Sequence, residues 1–321
     1  MRNTATIPSQ RGAICLGRRF LTPFLAFLVG LCMTHDARAE NSPATSAITA
    51  SQLSLGVSLL KNDPSGATNL AVSPFSIHAA LMLARMGANG ETGEALDKVL
   101  GTAPYSPAVA DAYKGLNAQV LHTGDKKGDE TTVAIANSIW ITSKGEFRKE
   151  FAAAVAAALS ASAHSIDFSD PERARAEINS WVSQRTAGKI PSLLPAGVIT
   201  TESISALVNA LHFKAAWQDA FSVDGTMPNT FTLKPGSTKE VQMMQHLARF
   251  PYYENDAWKA AQLPYAGGTY SFLVLVPKAV LPPEQVVAGL SGELVQQTIE
   301  KAAVARVNLR LPRFKIGRAH V

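Results

Sequence analysis

The stretch Leu207–Phe221 reads L-V-N-A-L-H-F-K-A-A-W-Q-D-A-F, and its first half alternates as a β-strand does. Leu207, Leu211 and Phe213 fall on one face, and Val208, Ala210, His212 and Lys214 on the other. Asn209 interrupts the apolar face. A carboxamide turned toward a core costs free energy unless polar groups elsewhere satisfy it, so this one residue predicts buried partners from a distant part of the chain. Trp217 and Phe221 follow just beyond the strand, where large aromatics can close the end of a sheet.

Working outward, N-L-A-V-S-P-F-S-I (Asn69 to Ile77) offers the partners. Ser73 is suited to cap a helix and Pro74 to start it, since its missing N–H costs nothing at the first helical position. The helix runs through Leu81, Leu83 and Met86 to Gly87, read as a left-handed cap. It is apolar almost all round, so it is expected to be buried. Ser73 and Ser76 in its first turn are the expected partners of Asn209. Gly87, Gly90 and Gly93 do not form a phosphate loop, because no strand precedes them and no Lys-Ser/Thr pair follows.

The spacing predicts further helices over residues 51–62, 92–100, 106–122, 147–160 and 170–185, the last amphipathic and lying across a sheet face. Thr132 to Ile141 (T-V-A-I-A-N-S-I-W-I) predicts a long strand. Past residue 221, strands are expected over 230–244, 249–253, 258–263, 270–277 and 304–316, with a helical segment over 283–302. Turn signals at Pro235-Gly236 and Gly267-Gly268 suggest antiparallel meanders. Helices early and strands late, without βαβ alternation, point to a single α+β domain.

The chain has 321 residues, 46% of them hydrophobic and 17% charged, a globular composition. Residues 1–39 read as a cleaved export signal: a basic start (Arg11, Arg18, Arg19), a short apolar run from Phe20 to Met33, and Ala37-Arg38-Ala39 before Glu40. Residues 40–50 read as a polar linker. Removing the leader takes away Arg2, Arg11, Arg18, Arg19, Arg38 and Asp36, so the net charge falls from +5 to 25 basic against 24 acidic groups, or +1. The basic balance therefore implies no nucleic-acid partner. Both cysteines, Cys15 and Cys32, lie in the leader, which leaves the rest without thiol chemistry. A soluble exported protein without a membrane anchor is expected.

Catalytic signatures are missing. There is no G-x-S-x-G, no H-E-x-x-H, and no S-x-x-K joined by the motifs that accompany it in penicillin-binding enzymes. The seven histidines are scattered, and the polar residues Asn69, Ser73, Ser76 and Asn209 have no histidine or carboxylate beside them to activate a nucleophile. The expectation is a protein that is not an enzyme, with no cofactor and no metal.

These blocks resemble the serpin family. Asn69 to Ile77 is similar to that family's N-x-x-x-S-P-x-S-I signature, Ile178 to Ile190 looks like its helix over the main sheet, and Val208 to Phe221 resembles its N-A-x-x-F-K-x-x-W-x-x-x-F block. The resemblance covers residues 51–315 and implies a serpin-like α+β domain with a large mixed sheet, smaller antiparallel sheets and about eight helices. It implies that Asn69, Ser73, Ser76 and Asn209 form the polar "shutter" beneath the centre of the main sheet, and that Trp217 is the "breach" tryptophan at its top. It implies a monomer whose partner is a serine, sometimes a cysteine, protease, trapped when its cleaved reactive loop inserts into the sheet. The alternative within the family is a non-inhibitory binding or carrier scaffold. The resemblance places the reactive loop and the last strands beyond Val321, so no scissile bond is expected within these residues and inhibition is expected of a longer form. Ile316 to Val321 (I-G-R-A-H-V) resembles a translated sequencing adapter and is read as a non-native tail.

Overall fold

The structure is a computed structural model and describes residues 32–33, 42–62, 71–101, 105–121 and 131–314. The rest of the expected leader, Asn69 and the expected tail lie outside the described residues. Among the described residues eight helices and nine strands follow one another as β1 (Cys32–Met33), α1 (Pro43–Lys61), α2 (Pro74–Gly87), α3 (Gly90–Leu100), α4 (Pro107–Val120), β2 (Thr132–Thr142), α5 (Lys149–Leu159), β3 (Ala161–Ile166), α6 (Pro171–Arg185), β4 (Ser205–Lys214), β5 (Met227–Lys234), β6 (Ser237–Glu254), β7 (Trp258–Pro264), β8 (Tyr270–Pro277), α7 (Pro283–Ala288), α8 (Gly292–Lys301) and β9 (Ala303–Pro312). This is the α+β arrangement expected, with α1 to α6 preceding β4 and the antiparallel sheet drawn mostly from the strands after it.

Two sheets organise the molecule. The first is mixed, in the order β3-β2-β4, with β2 parallel to β3 and antiparallel to β4. The second is antiparallel, in the order β1-β8-β7-β6-β5, with β9 on β6. Among the described residues no strand lies beside the outer edge of β4.

The faces of the mixed sheet are covered unequally. Ala136 and Trp140 of β2, with Val208 and Ala210 of β4, bury themselves against Ile178 and Val182 of α6. A ring stack fastens that helix down. Trp140 lies 4.2 Å from His164 of β3, Trp181 of α6 meets both rings edge-on, and the Arg185 guanidinium sits 5.6 Å from the Trp181 ring. His164 is held below the ordinary histidine range by burial and by Arg185, with Glu177 acting in the opposite direction. The opposite face carries Leu207, Asn209, Leu211 and Phe213, and the helices α2 and α5 pack beneath it. Leu207 there is 41% exposed, so the sheet's better-buried face is the Val208 and Ala210 face rather than the leucine face.

Several expectations change. The helix read from residue 51 begins at Pro43, because Ser42 caps it through Thr45 N–H and Ile48 is buried, so residues 43–50 are helix rather than linker. Gly87 is not a left-handed cap. A side chain there would press on the Phe151 ring, with a Cβ 3.2 Å from it, which is a packing reason for glycine. The strand read over 230–244 is cut in two at Pro235-Gly236, where Gly236 takes φ +75°, while no break separates residue 244 from 249, and β6 runs through both. β3 was not foreseen. Its A-S-A-H-S-I sequence is only weakly apolar, and parallel pairing to β2 makes it a strand.

Candidate functional site: the polar pair under the mixed sheet

The helix that carries two of the expected site residues is built as its sequence dictates. Ser73 sits at φ −107°, ψ 96° as the N-cap of α2, its hydroxyl accepting from Ser76 N–H at 3.3 Å, with Pro74 following. The Ser73 hydroxyl also donates to Ser76 Oγ at 2.8 Å. Ser76 is 2% exposed. Between them Phe75 packs with Val133, Ile135 and Phe213, which fixes the start of α2 beneath β2 and β4.

Asn209 lies on the face turned toward α2, as the alternation of its strand requires. Its partner, however, is not a serine. The two serines satisfy each other, and the Asn209 carboxamide donates to Oδ1 of Asn137, the residue directly across the ladder on β2. Asn137 is 2% exposed and its own Nδ2 donates to the carbonyl of Leu159 at 2.9 Å, the last residue of α5. That carbonyl is one of those a helix leaves unpaired at its C-terminus. Asn117 of α4 does the same for Ala158 at 2.9 Å. A hydrogen-bonded line therefore runs from α5 through β2 to β4.

Of the four expected shutter residues the structure brings together Ser73 with Ser76, sets Asn209 in the sheet above α2, and leaves Asn69 outside the described residues. Sequence reasoning missed Asn137. Its signal was present, a carboxamide inside the apolar run T-V-A-I-A-N-S-I-W-I, but its meaning depends on a ladder register linking positions 72 residues apart.

Trp217 closes the end of this region. It pairs with Tyr265 through an isolated bridge, and their rings stack at 4.7 Å and 10°. Phe272 and Phe221 meet Trp217 edge-on at 5.7 and 6.0 Å. Gln218 N–H donates to Pro264 at 3.0 Å and Ala266 N–H to Ala216 at 2.9 Å. The chain leaving β4 is thus clamped onto the β7–β8 turn. Phe213 also reaches across, edge-on to Tyr265 and Tyr270. Burial pushes the Tyr265 hydroxyl up to about 12, so it stays neutral in this aromatic cluster.

Among the described residues these side chains form no nucleophile–base pair. The arrangement sets two neutral carboxamides that link two strands above a capped helix, with an aromatic clamp at one end and a strand edge that has no neighbour among the described residues.

Comparison with known proteins gives these positions a context. The sequence model of the serpin (serine protease inhibitor) family matches residues 50–320. Leukocyte elastase inhibitor of Bos taurus is 33% identical over 278 residues, covering 83% of this chain and 71% of that protein. Leukocyte elastase inhibitor A of Mus musculus is 34% identical over 291 residues, covering 86% and 73%. Among solved structures, a cleaved serpin 42Da superposes with a TM-score of 0.72 at 33% identity, covering 84% of this chain and 72% of that one. Emu (Dromaius novaehollandiae) ovalbumin superposes at 0.74 with 24% identity, covering 84% and 74%, and speaks for the fold alone.

Proposed function

The chain belongs to the serpin family, and from that premise we propose that its full-length form inhibits serine proteases by inserting a cleaved reactive loop into the mixed sheet beside β4. The observation that carries this reading is the Asn137–Asn209 pair, set midway along a strand whose other edge has no neighbour among the described residues. A strand entering there would extend the hydrogen-bonded line that already joins α5, β2 and β4. The names of the relatives, inhibitors of leukocyte elastase, support a protease as the partner.

In this reading Ser73, Ser76, Asn209 and Asn69 act as the shutter, joined by Asn137, and Trp217 marks the end where insertion begins. The protein is exported by its leader and acts as a soluble monomer. The test is to incubate the product of the complete gene with elastase-type and subtilisin-type proteases and look for a complex that survives SDS. Such a complex is expected from the gene product. Cleavage of the gene product as an ordinary substrate, with the protease released active, would sink the proposal.

A further inference from the structure

The outer face of the β6–β9 ladder carries an arrangement that the sheet itself does not need. Arg249 and Arg306 are directly opposed in register, and Arg310, opposite Gln245, stands on the same side two rows away. All three are exposed. Like charges set across a ladder, with side chains about 5 Å apart, destabilise the pairing. Among the described residues the ion pairs are Arg85–Asp97, Arg175–Glu172 and Lys278–Glu254, so none of these three arginines has a carboxylate at ion-pair distance. Among the described residues the side-chain hydrogen bond on this face joins Gln245 to Asn308 at 3.1 Å.

In order along the ladder the rows of this face are Gln245 with Arg310, Leu247 with Asn308, Arg249 with Arg306, and Pro251 with Val304, so one uncharged row lies between the arginine rows and another lies beyond them. Leu247 is 51% exposed and Val304 is 60% exposed. At about 6.7 Å per row of one face, the four rows span roughly 20 Å. The cations are all arginine, and they alternate with exposed aliphatics. That is the composition of a protein–protein interface, where arginine is enriched and lysine depleted, and where guanidinium groups take carboxylates in bidentate fashion. A track for a linear polyanion is built from dense positive charge and gains nothing from Leu247 and Val304.

We infer that this face is a docking surface for an acidic protein surface, and that its partner is the protease whose inhibition is proposed above, gripped away from the reactive loop. The inference rests on that reading for the partner's identity, with Arg249 and Arg306 supplying the charge and Leu247 and Val304 the contact area. Charge of this kind speeds and orients encounter, so its contribution falls as salt rises.

The experiment measures non-covalent binding of the full chain to two immobilised serine proteases of solved structure, each inactivated by replacing its catalytic serine with alanine. One has a carboxylate cluster bordering its cleft, and the other does not. Arg249→Glu/Arg306→Glu is compared with wild type, with Arg249→Gln/Arg306→Gln as the milder pair and Arg148→Glu/Lys149→Glu as a control of equal charge change at the start of α5. Thermal melts establish that each variant is folded. The expected result is at least tenfold weaker binding of the Glu pair to the carboxylate-bearing protease, a smaller loss for the Gln pair, none for the control, and salt-sensitive binding by wild type. Equal binding by wild type and the Glu pair overturns the inference, as does arginine-dependent binding to dextran sulfate without binding to the protease. SDS-stable complex formation with the active proteases is scored separately, so failure of the inhibitory reading and failure of the docking surface are read from different measurements.

Discussion

Between residues 71 and 186 the buried polar positions include Ser76, His78, Asn117, Asn137, Ser138, Asn179 and Thr186, whereas from residue 205 onward the buried polar positions of the described chain are Gln262, Ser271 and Thr298. The first group is wired together. Ser76 meets Ser73, Asn137 meets Leu159 and Asn209, Ser138 accepts from the Trp140 indole, and Asn179 accepts from the N–H groups of Leu193 and Leu194. In the antiparallel sheet the interior is instead Phe250, Leu263, Phe272, Val274, Val307, Leu309 and Leu311, packed by shape and area. Apolar packing is non-directional and tolerates small shifts, while a carboxamide or imidazole in a dry interior accepts few arrangements. The mixed sheet and its helices are therefore specified by hydrogen bonds at a few points, and the antiparallel sheet by continuous contact.

The largest effect should come from the packed side. Leu311 is fully buried in β9, and Leu311→Ala should cost about 2–5 kcal/mol in chemical denaturation, the range for truncating a leucine in a core that cannot collapse around the gap. A cost under about 1 kcal/mol would show that this sheet is loosely packed and would break the contrast. On the wired side, pH supplies the probe. His78 is fully buried among α1, α3 and α4, its Nε2 donating to Leu100 O at 3.1 Å and its Nδ1 accepting from the Tyr113 hydroxyl. Burial lowers it from 6.5 to about 4, partly offset by the Leu100 bond, and it pushes the Tyr113 hydroxyl up. The native state therefore binds fewer protons than the unfolded one, and this contribution is whole above pH 6.5 and lost as pH falls toward 4. The difference between wild type and His78→Gln in urea titrations should shrink by about 3 kcal/mol across that window. A difference that stays constant with pH would mean the imidazole is not held neutral by this pocket.

The same contrast explains what could be read from the sequence. Alternation and turn residues speak for local structure, so β2, β7, β8, α2 and α4 were found close to their true bounds. Asn209 was legible because a carboxamide breaks a leucine stripe within one strand. Asn137 was not, because its partner is chosen by register across the ladder. β3 was missed for a related reason, since A-S-A-H-S-I becomes a strand only beside β2. The start of α1 was misread because Ser42-Pro43 and a single buried Ile48 outweigh a run of small polar residues that composition alone assigns to a linker. Alternation also predicted a buried leucine face on β4, where coverage by α6 buries the other face more fully.

The smallest predicted effect is the one that tests how the wiring works. Asn137→Ala leaves the Leu159 carbonyl and the Asn209 carboxamide without their partner, and should cost about 1–3 kcal/mol. Asn209→Ala removes a half-buried donor and leaves the Asn137–Leu159 bond in place, so its cost should be smaller. If the two asparagines act as one unit, the double variant should cost less than the sum of the singles, with a coupling of about 0.5–3 kcal/mol in a double-mutant cycle. Additive costs would mean that each asparagine serves only its own neighbourhood, and the line from α5 to β4 would be a coincidence of geometry. Coupling would mean that the edge of β4 with no neighbour among the described residues is tied to the end of α5, so that a strand pairing there would be felt at Asn137 and Leu159.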